Sequence, residues 1–161
     1  MEVSATAGLV AQWARYYDDH KMVSAAITWV HLAGVLLGGG LAVASDRTSL
    51  QLRPDEAGLA ASLERLGRVH RPVVMGLAIT LLAGLAMLFA DLHTFLRAPL
   101  FWTKMALVAA LLTNGYVRLV AERALGPDPA VGWRRFRVTS GLSLFLWFAI
   151  LLAGAFLTTL S

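Results

Sequence analysis

Four long apolar stretches alternate with arginine-bearing connections along this chain. The first runs from Val23 to Ala44 and the second from Val73 to Ala90, both without a charged residue. The third, Pro99 to Leu119, carries Lys104 near its start and Arg118 near its end, and the fourth, Val138 to Leu160, is again uncharged. About 20 helical residues cross the roughly 30 Å of bilayer hydrocarbon, so each stretch predicts a transmembrane helix. A membrane barrel would instead show short segments of alternating polar and apolar residues. The pattern predicts an all-α integral membrane four-helix bundle, with spans at about 23–44, 73–90, 99–119 and 138–160 in a single membrane domain over 1–161.

Shorter segments add detail. Leu9, Val10, Trp13, Tyr16 and Tyr17 fall near one helical face, which predicts a short N-terminal interfacial helix with its aromatics at headgroup level. The chain opens Met-Glu-Val-Ser without a basic n-region, so a signal peptide is not expected. Residues 57–70 read as an amphipathic helix with Leu59, Leu63, Leu66 and Val69 on its apolar side. It either lies on the membrane surface or extends the second span. Gly126-Pro127-Asp128-Pro129 predicts the turn between the third and fourth spans.

Composition agrees with a membrane setting. The 161 residues are 58% hydrophobic and only 15% charged, with a mean hydropathy of +0.66, whereas soluble domains carry about 25% charged residues. There is no cysteine, which excludes disulfides, thiolate metal sites, iron–sulfur clusters and cysteine nucleophiles. A net charge of +4 in a membrane protein marks the cytoplasmic side before it marks nucleic acid, and no nucleic-acid partner is expected. The connection after the first span holds Arg47, Arg53, Arg65, Arg68 and Arg71. The region around the third connection holds Arg118, Arg123, Arg134, Arg135 and Arg137. The other side has only Arg15, Lys21, Arg97 and Lys104. The asymmetry predicts both termini outside the cytoplasm.

Small residues mark candidate packing faces. His31, Gly34 and Gly38 share a face of the first span, and Gly76, Thr80, Ala83, Gly84 and Met87 form a stripe on the second. Ser140, Ser143, Trp147, Gly154 and Thr158 share a face of the fourth. Such stripes either let helix backbones approach closely or leave room for a flat cofactor. The Gly34/Gly38 face is also a candidate surface for a homo-oligomer.

Ionisable groups inside hydrocarbon are costly and therefore informative. His31 is the deepest. It needs a hydrogen-bond partner on a neighbouring helix, or it is an axial ligand to a b-type haem, for which histidine on bundle helices is the usual donor. Lys104, about five residues inside the third span, either snorkels to the headgroups, contacts a haem propionate, or serves as a second ligand. His93 and His70 flank the second span, and His20 stands beside Asp18 and Asp19 outside the bilayer. Asn114 predicts an interhelical hydrogen bond. At about 1.5 Å of rise per residue, His93 is mismatched in depth with His31 by about 12 Å, and His70 is as far off on the other side. His31 and Lys104 differ by three or four residues of depth and form the best-matched pair.

Two segments carry a resemblance. Phe101-Trp102-Thr103-Lys104-Met105-Ala106-Leu107 is similar to a family of uncharacterised four-helix bacterial membrane proteins with Phe-Trp-x-Lys at this place. More distantly, Trp29-Val30-His31-Leu32-Ala33-Gly34, with Gly39-Gly40-Leu41 and Arg47 beyond it, resembles the first helix of the HemJ-type protoporphyrinogen oxidases. The approach to the second span, Arg65-Leu66-Gly67-Arg68, is similar as well. The likeness covers roughly residues 29–119. It implies a bacterial inner (plasma) membrane location, a haem b cofactor, His31 as ligand to the haem iron, and Lys104 in the same cavity. The chain departs from the oxidase pattern in its Trp-x-Lys spacing, in lacking a proline before Arg47, and in carrying Asn114-Gly115-Tyr116 where a histidine-bearing segment is common.

Three functional expectations follow. In the first, a haem-dependent membrane oxidoreductase or porphyrin protein uses His31, with Lys104, His93 or His70 as second ligand or propionate contact. In the second, a non-enzymatic assembly or scaffold subunit uses its small-residue faces. In the third, a small transporter or channel lines a polar path with His31, Lys104, Thr80 and Asn114, or carries metal with His31, Met75, Met87 and Met105. Gly38-Gly39-Gly40 is no phosphate loop, because no strand precedes it and no Lys-Ser/Thr follows.

Overall fold

The computed structural model describes residues 2–53, 58–125 and 129–160. They form six helices: α1 Glu2–Asp19, α2 Lys21–Gln51, α3 Leu59–Ala90, α4 Leu92–Arg97, α5 Pro99–Ala124 and α6 Pro129–Leu160. Helices α2, α3, α5 and α6 are each long and apolar enough to cross a membrane, and they correspond to the four expected spans. The protein is a multi-pass, all-α membrane bundle. The expected turn at Gly126-Pro127-Asp128 lies outside the described residues, as does the side chain of Thr158.

The helices outrun the apolar stretches. At 1.5 Å per residue the 31 residues of α2 extend about 46 Å, against roughly 30 Å of hydrocarbon. The surplus lies at the arginine-rich end. There the segment read as amphipathic extends α3 directly, through Pro72, whose ring removes one backbone hydrogen bond without ending the helix. Gly58, with φ of 89°, supplies the left-handed residue from which α3 starts. Leu52, Leu66, Ala121 and Phe136 from α2's end, α3, α5 and α6 close a small apolar core in this extension, and Leu63 and Trp133 pack around it.

Within the bundle, α2 packs on α3 and α6, and α5 packs on α6. The α2–α3 contact is backbone on backbone. A Cβ placed on Gly76 would stand 2.5 Å from the Gly38 nitrogen, and one on Gly34 would stand 3.0 Å from the Gly76 carbonyl oxygen. The stripes predicted on the first two spans therefore face each other. This corrects the expectation of a Gly34/Gly38 surface open to a second copy, because α3 of the same chain fills it. Between α2 and α6, the Trp147 ring lies over Gly39, 2.8 Å from where its Cβ would be. Leu111, Leu146, Trp147 and Ile150 make the mid-bundle apolar core.

The outer surface is strongly apolar: Leu36 is 77% exposed, Leu82 68% and Phe145 66%. The polar side chains Ser45, Asp46, Ser49, Asn114, Thr139, Ser140 and Ser143 are buried instead. That inversion suits lipid as the surrounding solvent, where buried polar groups pair with one another and apolar groups face outward.

The N-terminal helix packs on α3. Its Trp13 Nε1 donates to the Ala86 carbonyl of α3 at 2.8 Å, which docks α1 against the end of the bundle that carries both termini. At that same end, Asp91 caps the short α4 by accepting from the Thr94 N–H at 3.3 Å, and Pro99 opens α5 at a position that needs no backbone N–H.

Candidate functional site

Two polar levels lie inside the bundle, separated by the Leu111–Leu146–Trp147–Ile150 layer.

The first level, toward the chain termini, contains His31 and Lys104. His31 Nδ1 is 2.9 Å from the Thr80 carbonyl oxygen of α3. A carbonyl oxygen only accepts, so Nδ1 carries the proton, and in the neutral form of the ring the free lone pair is on Nε2. The ring lies against Gly84, whose absent side chain leaves space for it; a Cβ there would come within 3.2 Å of His31 Cε1. Lys104 is half-buried and reaches past Gly154 of α6, with Nζ 3.7 Å from the position a Cβ would take. Depth can be read from Gly39, which meets Trp147. His31 is eight residues from Gly39 toward the termini and Gly154 is seven from Trp147, giving rises of about 12 Å and about 10.5 Å. His31 and Lys104 therefore share a level, as their sequence positions predict.

The other candidates do not join them. His70 is exposed on α3, fourteen residues or about 21 Å along the helix from Gly84. His93 is exposed on α4 beyond the end of α3. His20 stacks on Tyr16, with ring centroids 4.1 Å apart. Thr80 returns its hydroxyl to the Gly76 carbonyl of its own helix at 2.9 Å. Met75 points outward, 63% exposed. Among the described residues, no three histidine or carboxylate side chains come together.

The Phe-Trp-x-Lys segment divides its work. Phe101 is buried beside Phe95, with centroids 5.9 Å apart. Trp102 Nε1 donates to the Leu96 carbonyl at 3.0 Å and holds the α4–α5 corner. Lys104 turns toward α6 and Gly154.

The second level, toward the arginine-rich end, was not anticipated. Arg118 of α5 reaches Asp46 of α2, with Nε to Oδ1 at 3.1 Å. Arg118 Nε donates to Ser140 Oγ at 3.2 Å, and Nη2 reaches Ser45 Oγ at 3.3 Å and Ser49 Oγ at 2.9 Å. The guanidinium also lies 5.5 Å from the centre of the Phe136 ring. The Ser143 and Ser140 hydroxyls lie beside the Asp46 carboxyl, whose buried Oδ1 accepts no hydrogen bond. Just above this level, Asn114 Nδ2 donates to the Thr139 carbonyl at 2.8 Å, the interhelical bond expected of it.

Asp46 escaped notice because it follows the last apolar residue of the first stretch and reads as the start of a loop. The signal was nonetheless present. Ser45 and Ser49 are spaced i, i+4 around it, Ser140 and Ser143 are spaced i, i+3 on the fourth span, and Arg118 stands near the end of the third.

Comparison with protein-family models, curated proteins and solved structures gives no match for this chain. The geometry defines a multi-pass helical membrane protein with an oriented imidazole at one polar level and a buried ion pair at the other. At the first level the histidine is oriented by its bond to a backbone carbonyl. Histidine ligands usually give their second nitrogen's proton to a carbonyl or carboxylate, as His31 gives Nδ1–H to Thr80.

Proposed function

We propose that the protein binds b-type haem at the His31–Lys104 level and acts in membrane redox or porphyrin chemistry. The observation that carries this reading is the Nδ1–H bond from His31 to the Thr80 carbonyl, which fixes the tautomer and leaves Nε2 as the donor. His31 holds the iron, and Lys104, on a helix across the bundle at the same depth, supplies a second ligand or meets a propionate. When bound, haem carries the electrons, while the chain sets ligand, depth and dielectric. The apolar layer between the two polar levels favours a bound group over a continuous transport path. In the same proposal, the arginine-rich end faces the cytoplasm of a bacterial inner membrane and both termini lie outside it.

An absorbance spectrum of the detergent-purified protein, expressed with haem in supply, tests this directly. A Soret band that co-purifies with the protein is the expected result. Protein that stays colourless, including after haem is added to it, overturns the proposal.

A further inference from the structure

The second polar level has no part in the haem proposal, and its geometry poses a separate question. Helices α2 and α3 are bound through their glycines, and α5 rests on α6. Arg118 crosses from α5 to α2 at the arginine-rich end, beside the apolar core of Leu52, Leu66, Ala121 and Phe136 that also joins the two pairs there. Its partner carboxylate is almost wholly buried, at 2% exposure, with one oxygen that receives charge but no hydrogen bond.

The surrounding groups suit two charge states. Ser45, Ser49, Ser140 and Ser143 carry hydroxyls, and a hydroxyl either donates to a carboxylate or accepts from a protonated acid. Arg118 also lies within reach of the membrane surface. Its side chain is 18% exposed, lies near the Phe136 ring, and sits at the end of the membrane-spanning stretch, where a long cation reaches headgroups readily. Desolvation offsets much of what a buried pair gains from its Coulomb attraction, so a neutral Asp46 holds Arg118 only weakly.

We propose that Asp46 is a proton-binding site whose occupancy releases Arg118 and parts the α2–α3 pair from the α5–α6 pair at the arginine-rich end. The proton comes from water at that surface and adds to an Asp46 oxygen. Arg118 keeps its own charge and turns toward the headgroups, while the serine hydroxyls turn to accept from the new acid. From α5, Arg118 faces Asp46, with Glu122 one turn further on, near Gly67 of α3. From α6, among the described residues, the Ser140 and Ser143 hydroxyls face it, while Arg134, Arg135 and Arg137 are exposed. On α2, Arg47 is exposed, as are Arg65, Arg68, His70 and Arg71 on α3.

The cysteine-free chain allows a clean test. Spin labels on Arg68→Cys in α3 and Arg135→Cys in α6, in the full-length protein in lipid, report the distance between the pairs. Titration from about pH 8 to about pH 4, which brackets ordinary and raised carboxyl values, shifts the distribution to a longer population. Asp46→Asn gives the longer population throughout, and Ser143→Ala moves the midpoint. A wild-type distance that stays constant over the whole range overturns the proposal, whether or not Asp46→Asn folds. So does a midpoint that Ser143→Ala leaves in place, or a pH response that persists in Asp46→Asn.

Discussion

Arg118 Nε stands 3.1 Å from Asp46 Oδ1, yet its single hydrogen is spent on Ser140 Oγ at 3.2 Å. The two residues are joined by charge and by a shared serine rather than by an in-line hydrogen bond. Removing one partner leaves the other charge buried, which costs about 3–5 kcal/mol. Replacing both with apolar residues of similar size removes that penalty. We therefore expect Arg118→Met to lower the unfolding midpoint in mixed micelles sharply, and Asp46→Leu/Arg118→Met to recover most of the loss. A double variant no more stable than the single one contradicts the buried-pair account.

The glycines of the α2–α3 contact are separable from those facing lipid. A Cβ on Gly76 meets Gly38 backbone atoms at 2.5 and 2.6 Å, whereas one on Gly40 meets nothing within 4 Å. Gly76→Ala forces the helices apart and costs at least about 1–3 kcal/mol, as overpacking does. Gly40→Ala is neutral or gains up to about 1 kcal/mol from helix propensity. Unfolding curves for the two variants check this, and equal effects exclude the close backbone approach.

The Trp13–Ala86 bond at 2.8 Å holds α1 to α3. Trp13→Phe keeps the ring and loses the donor, at a cost of about 1 kcal/mol. Amide exchange in α1 is expected to speed up about fivefold, with the exchange of α2, α5 and α6 unchanged. Unaltered α1 protection argues against the bond.

At the α1–α2 junction, Lys21 bonds Asp18 at 2.7 Å. That hydrogen bond, and then the lysine charge, hold the Asp18 carboxyl below its ordinary 3.8. A lowered folded-state value gives stabilisation that is whole above the unfolded value and lost as the pH falls through the folded one. The junction is therefore insensitive to pH near neutrality and weakens only in strong acid. Lys21→Ala returns the Asp18 titration, followed by carboxyl NMR, toward 3.8. A titration unmoved by this change refutes the pairing.

Much of this architecture is legible in the residues, and the parts that are not have physical reasons. Hydropathy locates the four spans because lipid imposes a minimum apolar length on each. It understates α2, α3 and α6: Ser45, Asp46 and Ser49 remain helical with partners inside the bundle, and the arginine-bearing turns of α3 and α6 continue the helix with the arginine side chains exposed. Arg118 looks like one more basic residue at a membrane boundary. Only the fold turns it inward, 3.1 Å from a carboxylate 72 positions away. The stripes through Gly34 and Gly76 were visible one helix at a time, but not that they meet. The common depth of His31 and Lys104 follows from counting residues. The partner that orients His31 does not, because a backbone carbonyl carries no sequence signature.

The most direct test of the haem account is the Soret absorbance per protein across His31→Ala, Lys104→Ala, His70→Ala and His93→Ala. The account predicts loss of the band in His31→Ala, a shifted or weakened band in Lys104→Ala, and unchanged spectra for the two exposed histidines. A band that survives His31→Ala intact, or that disappears with His70 or His93 instead, contradicts it.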